Sequence, residues 1–268
     1  NSGAPSGMSV TCDDGSHFDN GVEVIISQMR SGFNYTATAV GLNGFDPVLA
    51  VLDTNSHQGL CNDDEPGASF YQANLPTSGS VPASTTSSQV TFSQGSGNTF
   101  ADISLVVGGY NNQSGEFLLI LEGMASSPAD GAGDAFSVNL TPGMVASGVP
   151  LTVYMITRGQ SNLDPYIFQA DGNLTPLADS QGKLIDCDDA GTKDLCQPGS
   201  VDLSSSSVTI GAGKLTGWSY DAMLTAPLDG LSLNSDSGQN YYTFVMTSSP
   251  QQATEGQYLL VFHIGETD

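Results

Sequence analysis

Basic side chains are what this sequence most lacks. Its 268 residues hold 5 Lys and Arg against 28 Asp and Glu, for a formal net charge of −23. Charged residues make up only 12% of the chain, so the imbalance comes from missing cations rather than from crowded acids. The surface is then coated by Ser, Thr, Asn, Gln and Gly. Such a surface repels phosphate backbones and anionic headgroups, which argues against nucleic acid and membrane surfaces as partners. It is compatible with divalent cations. Histidine is also scarce, with 3 residues (His17, His57 and His263), and no Cys-x-x-Cys pair occurs, so a zinc site is not expected. Apolar runs such as FLLILEGMA fall short of the ~20 residues of a membrane helix, which argues against membrane insertion. No long stretch shows helical apolar spacing, and 32 Gly and 13 Pro predict little helix. Enzyme signatures are missing too: there is no G-x-S-x-G, P-loop or H-E-x-x-H. No pair of carboxylates is singled out for glycoside chemistry. Each His reads as an ordinary surface or core residue, and the expectation is a protein without catalytic residues.

The 4 cysteines are Cys12, Cys61, Cys187 and Cys196. An even count in a Lys-poor, Ser/Thr-rich chain suggests an oxidising setting, extracellular or at a cell surface. Cys187 and Cys196 bracket a short loop. Cys61 is the counterpart of Cys187 in an internal repeat, which leaves Cys12 as its partner, so bridges 12–61 and 187–196 are expected. The alternative is four free buried thiols. The opening NSGAPSGMS reads as a processed mature end.

What the chain does have is duplication. FDPVLAVLDTNSHQGLCNDD (45–64) reappears as LDPYIFQADGNLTPLADSQGKLIDCDD (163–189), and GEFLLILEG (115–123) as GQYLLVFHIG (256–265). Upstream, GVEVIISQMRSGFNYTATAVG (21–41) aligns with AFSVNLTPGMVASGVPLTVYM (135–155). The period is that of a whole domain, too long for a solenoid unit. Alternating apolar residues at Val22–Val24, Tyr35–Val40 and Leu151–Met155 predict half-buried strands. The continuous runs Val48–Leu52 and Phe117–Leu121 predict strands buried on both faces or at a sandwich core. Turn signals such as Leu42-Asn43-Gly44 and Asp171-Gly172-Asn173 separate them. The reading is all-β, with two tandem jelly-roll-like antiparallel β-sandwiches: an N-terminal extension over 1–20, a first sandwich over 21–127 and a second over 128–268. The stretch 124–134 serves as linker and 77–89 as a low-complexity loop. The second copy's extra length lies mainly in 216–254, which holds the single Trp, Trp218.

Asp46-Pro47, Asp53, Asp63-Asp64 and Gly115-Glu116-Phe117 form one pattern, repeated as Asp164-Pro165, Asp171, Asp188-Asp189 and Gly256-Gln257-Tyr258. In this pattern the chain resembles the bacterial pre-peptidase C-terminal domain family over most of 21–124 and 135–265. The resemblance implies a secreted β-sandwich, usually a non-catalytic appendage of exported enzymes, some members of which bind calcium or extracellular polymers. No peptidase domain accompanies the two copies here, so the sandwiches themselves are expected to be the product.

The acidic turns are the candidate binding groups. Calcium takes ~6–8 hard oxygen ligands, which clustered carboxylates, carbonyls and water supply. The expected ligands are Asp46, Asp63 and Asp64 in one copy and Asp164, Asp186, Asp188 and Asp189 in the other. The competing reading is that Asp serves turns by capping local amides, which also covers Asp13-Asp14. Asp-Pro has a backbone explanation as well, because Pro suits the first residue of a strand. Together these features suggest a secreted structural protein, a self-assembling subunit of an extracellular filament or surface layer, stabilised by calcium and disulfides. Its partners would be copies of itself, joined by a donated N-terminal strand that includes Ser9, Val10 and Thr11. The alternative is a calcium-dependent module for polysaccharide or matrix protein, in which Tyr110, Trp218, Tyr220, Tyr241 and Tyr242 would stack on sugars, although Trp and Tyr in strands are more often core residues and that reading is favoured.

Overall fold

The computed structural model describes residues 7–27, 34–53, 58–65, 72–82, 84–93, 102–122, 125–126, 134–140, 151–158, 162–192, 196, 201–210, 213–217, 219–226, 241–251, 254 and 256–265. The expected all-β architecture is present, with strands numbered β1 to β20 in chain order. The first sheet has nine strands, in the order β1 (Met8–Cys12), β5 (Gln58–Asn62), β4 (Pro47–Asp53), β9 (Ile103–Gly109), β2 (His17–Ser27), β12 (Asp134–Asn139), β19 (Tyr241–Ser248), β14 (Pro165–Ala170) and β15 (Asp186–Cys187). The second has seven: β18 (Ala222–Thr225), β13 (Leu151–Arg158), β20 (Gly256–Ile264), β10 (Phe117–Glu122), β3 (Asn34–Gly41) and β8 (Ser88–Ser93), with β11 (Ala125–Ser126) on β20. A third, of four strands, runs β17 (Gly213–Thr216), β16 (Ser207–Ile210), β6 (Gln72–Leu75) and β7 (Gly79–Val81). Pairing is antiparallel except for a two-residue parallel contact of β1 with β5. Pro47 and Pro165 each open a strand, as the Asp-Pro steps suggested.

The two copies map strand for strand: β2, β3, β4, β5, β9 and β10 correspond to β12, β13, β14, β15, β19 and β20. They do not stand as two separate sandwiches. The sheets run through both copies, joined where β2 pairs with β12 and β10 with β20, both antiparallel. Val24 sits opposite its own repeat counterpart Val138, and Ile120 opposite its counterpart Val261. Equivalent residues facing one another mark a pseudo-two-fold axis through both sheets, the geometry of an isologous dimer within one chain. One hydrophobic core holds residues of both copies, among them Val24, Leu49, Leu119, Phe136, Tyr154, Phe244 and Phe262.

The layers follow from strand parity. Phe136 of β12 packs on Phe262 of β20 with ring centroids 5.9 Å apart, so Leu260, Phe262 and Ile264 face the first sheet. Leu259, Val261 and His263 point the other way and are buried too. The third sheet lies on that side: its Leu75, Val81 and Val208 belong to the same core, and Thr77 in the β6–β7 turn bonds to His263. The second sheet is thus the middle layer, which explains why every residue of β10, FLLILE, is buried. The stretch 77–89, read as a loop, supplies β7 and the start of β8. The first copy's β6 also pairs with the second copy's β16, a third join between them.

The N-terminal extension departs from expectation. Residues Met8–Cys12 form β1, which pairs with β2 and, at Thr11 and Cys12, with β5 of its own chain. Val10 and Cys12 close a second small core with Phe18, Val48, Ala50, Leu52 and Val106 on the outer face of the first sheet. Ser9 donates to Asp19 at 2.5 Å, and the Thr11 hydroxyl meets His17 Nδ1 at 3.2 Å. Ser9, Val10 and Thr11 are therefore engaged within their own chain, because their alternating apolar residues have a ready surface there; they are not a spare strand for a neighbour. The expected bridge Cys12–Cys61 pins this hairpin, and Cys187–Cys196 closes the loop after β15.

Because the copies share one core, we expect residues 1–127 and 128–268, expressed separately, to lose the monomeric fold. Each piece would expose the β2 or β12 edge and the β10 or β20 edge together with half of the apolar interior. Size-exclusion chromatography with circular dichroism should find aggregates or back-to-back dimers. A folded monomer from either half would refute the shared core.

Candidate functional site

The Asp-Pro step before β14 and the Asp-Asp pair after β15 bring three carboxylates to one end of the molecule. One oxygen from each of Asp164, Asp188 and Asp189 lies within 4.8 Å of the others. Backbone bonds fix the loop: the Ser249 amide donates to the Asp164 carbonyl at 2.7 Å, and the Asp164 amide donates to Thr254 Oγ1 at 2.8 Å. Ser249 also donates its hydroxyl to Asp188 Oδ2 at 3.0 Å. The Cys187–Cys196 bridge holds the residue next to the pair.

The donor supply stops short of the acceptors. The Oδ1 atoms of Asp164, Asp188 and Asp189 are buried and have no hydrogen-bond partner among the described residues. Asp188 is only 7% exposed. A buried carboxylate oxygen without a donor is costly, and three carboxylates this close repel one another. Burial, then the charges of Asp188 and Asp189, raise Asp164 to about 6. Burial raises Asp188 against the Ser249 hydrogen bond, with Asp189 and Asp186 adding to the rise. Burial likewise raises Asp189, opposed by Thr192. Hard oxygens aimed at one point with unmet bonding capacity fit a metal ion, and the chemistry of the set suits a hard divalent cation better than a thiolate-seeking or imidazole-seeking one.

The first copy repeats part of this. Asp46 and Asp63 also carry buried Oδ1 atoms without a partner among the described residues, at the aligned positions of Asp164 and Asp188. Burial and then Asp64 raise Asp46; burial and then Asp46, Asp64 and Asp14 raise Asp63. Asp64 is exposed, and among the described residues the trio does not close to the spacing seen in the second copy. Asp186 is not one of this trio; its Oδ2 accepts from the Tyr166 hydroxyl at 2.6 Å. Asp14 and Asp171 cap turns, accepting from Ser16 and from Asn173 and Thr175. Among the aromatics, Tyr220 is 58% exposed, while Tyr242 is a core residue; Trp218 lies outside the described residues.

A polar relay escaped the sequence reading. His263, taken as an ordinary residue of an apolar strand, is 4% exposed and bonded on both ring nitrogens. Nδ1 lies 2.5 Å from Thr77 Oγ1, and Nε2 2.7 Å from Glu116 Oε1. Thr77 Oγ1 further meets the Tyr154 hydroxyl at 2.7 Å, and Asn43 donates to Glu116 Oε2 at 3.0 Å. The available signal was a buried polar residue at matching positions of the two closing strands, Glu122 and His263.

The raised carboxyls set a pH dependence. A native carboxyl that holds its proton more tightly than the unfolded chain makes folding more favourable below its ordinary value near 4, and that contribution fades as pH rises through the native value. In chelator we expect the melting temperature to rise as pH is lowered from neutral through about 6, the position of Asp164. Asp188→Asn should flatten this slope by removing one of the facing charges. A chelated melting temperature that falls steadily over the same interval, and is indifferent to that substitution, would contradict the assignment.

Against models of known protein families the chain matches none, and no curated protein sequence matches it. The likeness to pre-peptidase C-terminal domains therefore rests on the motif residues alone.

Proposed function

We propose that this protein is a secreted structural subunit that binds calcium at its acidic turns and assembles with copies of itself into an extracellular filament or surface layer. The observation that carries the assembly is how the middle sheet ends. Its outermost strands, β8 (SQVTFS) and β18 (AMLT), contain no charge and no proline. Soluble sheets usually blunt their edges with Lys, Pro or inward charges, since an unblocked edge pairs with other chains. One amide on each strand is already bonded within the chain, Gln89 to Asn62 Oδ1 and Met223 to Cys187 Sγ; what remains of the two edges, on opposite ends of one sheet, offers a head and a tail, and a head-to-tail contact propagates. The frame is suited to bear load, because the copies share both sheets and the peripheral loops are pinned by two disulfides. Those disulfides fit an oxidising compartment. No helix among the described residues is long and apolar enough to cross a membrane.

Calcium supports this reading as a clamp. It suits an all-oxygen set completed by carbonyls and water. A bound cation would satisfy the partnerless oxygens of Asp164, Asp188 and Asp189 at neutral pH, with Asp46 and Asp63 as the poorer counterpart. The ion stabilises the folded chain by mass action, because the unfolded chain has no such cluster.

Two measurements test these parts separately. Excess calcium should raise the melting temperature at neutral pH, and Asp188→Asn should abolish most of that rise; an unchanged melting temperature would remove the ion from the account. Negative-stain images of concentrated protein in calcium should show polymers. Thr91→Lys, which puts a charge on the exposed side of β8, should leave folded particles of 27.7 kDa that no longer grow. Dispersed wild-type particles under all conditions, or Thr91→Lys polymers like those of the wild type, would overturn the edge-to-edge assembly.

A further inference from the structure

The relay around His263 has the connectivity of a nucleophile, a base and an orienting acid, and it opens on a cleft. Its geometry does not depend on self-assembly or on calcium. Three separate elements build it. Glu116 precedes β10, His263 lies in β20, and Thr77 sits in the β6–β7 turn that the third sheet lays over them. The acid is itself held. The turn Leu42-Asn43-Gly44-Phe45 closes with a bond from the Phe45 amide to the Leu42 carbonyl at 2.9 Å. Asn43 and Gly44 there take φ of 54° and 87°, the left-handed pair that Asn-Gly favours. That conformation aims the Asn43 amide at Glu116 Oε2.

Proton positions follow from the partners. A carboxylate only accepts, so the imidazole proton resides on Nε2, facing Glu116. Nδ1 is then an acceptor, and the hydrogen it receives is that of the Thr77 hydroxyl. The Thr77 amide donates to the Tyr154 oxygen at 3.2 Å, which leaves the tyrosine hydroxyl free to donate to Thr77 Oγ1. Donation therefore runs in one direction, from Tyr154 through Thr77 and His263 to Glu116, and the Thr77 proton is already shared with a base. This is the arrangement that activates a hydroxyl nucleophile.

The hydroxyl is at the surface. Thr77 is exposed, although its base is buried. It lines a cleft of about 450 Å³ with Asn43, Ser78, Ser80, Ser84 and Thr86, within the size range of small-ligand sites. Among the described residues no Lys or Arg lines this cleft, and Glu116 contributes negative charge, so anionic substrates are disfavoured. The ring of hydroxyls and an amide suits neutral polyhydroxylated groups.

We propose that Thr77, His263 and Glu116 form an acyl-transfer site that cleaves short acyl esters of neutral polyhydroxylated alcohols, such as O-acetylated saccharides. Thr77 Oγ1 attacks the ester carbonyl while His263 takes its proton. The bond from the acyl carbon to the alcohol oxygen breaks, and the alcohol leaves with the proton from His263. Water then attacks the acyl-threonine, losing a proton to His263, and the acid is released as Thr77 regains its hydrogen. Glu116 is a positioning residue, fixing the ring and stabilising its charged form.

The test uses the intact protein with p-nitrophenyl acetate and an acetylated oligosaccharide, alongside intact-mass analysis after a serine-type phosphonate probe. The expected result is hydrolysis above buffer and above denatured protein, with one label that maps to the peptide containing Thr77. Thr77→Val should lower the rate at least ~100-fold, the usual size of a lost acid–base partnership, whereas Thr77→Ser should retain it. His263→Gln should match Thr77→Val. Glu116→Gln should lower the rate and alter the pH–rate profile, which a merely structural role would not do. Circular dichroism of each variant separates lost chemistry from lost fold, and the mapped label decides the matter should Thr77→Val fail to fold. Wild-type protein that neither hydrolyses nor takes label, a label elsewhere, or a folded Thr77→Val as active as wild type would overturn the proposal.

Discussion

The antiparallel meeting of the two repeats at β2–β12 and β10–β20 is the constraint on which the rest depends. β10 is buried on both faces and bonded on both edges, by β3 and by β20. The alternate residues of this strand whose N–H and C=O point to β20 could not be satisfied in one copy alone, since that edge and much of the packing come from the other. The same holds across the first sheet, where β2 is followed directly by β12. Duplication here did not string two domains along a chain. It made one body whose halves complete each other, as the subunits of an isologous dimer do.

On that near-symmetric frame the two halves have diverged at their margins. The first copy wears a hairpin on its outer face, β1 with the start of β2, whose Phe18 packs so closely on the sheet that a Cβ at Gly108 would lie 2.2 Å from its ring. The second copy replaces this with a longer loop after β15, held by its own disulfide. The third sheet interleaves strands of both. Near the axis on the outer face lies Glu23, 4% exposed, which accepts from Ser104 of its own copy at 2.5 Å and from Asn139 of the other at 3.5 Å. Apolar contact supplies cohesion between the copies, and this polar contact helps to fix their register.

The repeat made much of this legible. Strand positions at Val22–Val24, Val48–Leu52, Phe117–Leu121 and Leu151–Met155 follow from local alternation and apolar runs, and the bridge 12–61 follows from comparing copies. What the sequence hid was pairing between copies, because strand propensity carries no information on which edge meets which. The role of β1 was hidden for a related reason: its alternation is too short to reveal that a cis surface awaits it. The acidic triad was half visible. Asp-Asp after an Asp-Pro strand marked the place, yet only the folded loops show that Asp186 bonds to Tyr166 and that Ser249 joins Asp164 to Asp188. The relay through His263 was not legible as a unit, since its members lie far apart in the chain and Thr77 sits in a stretch of low complexity.

The scarcity of Lys and Arg ties these observations together. Where most proteins would place a cation against a buried acid, this one places a hydroxyl or an amide. Tyr258 donates to Asp134 at 2.7 Å, Tyr166 to Asp186, Thr157 to Asp221 and Ser104 to Glu23. A hydroxyl gives one hydrogen and no net charge. That suffices for an isolated carboxylate with water nearby, but it cannot offset the mutual repulsion of several. At Asp164, Asp188 and Asp189 the supply of hydroxyls runs out first, and three neighbouring carboxylates each keep an oxygen without a partner among the described residues. A protein built with ordinary cation content would have closed that gap from within. This one leaves it to protons at low pH or to a cation that the cluster could hold, so the same scarcity of Lys and Arg that gives the chain its net charge of −23 also creates the acidic centre.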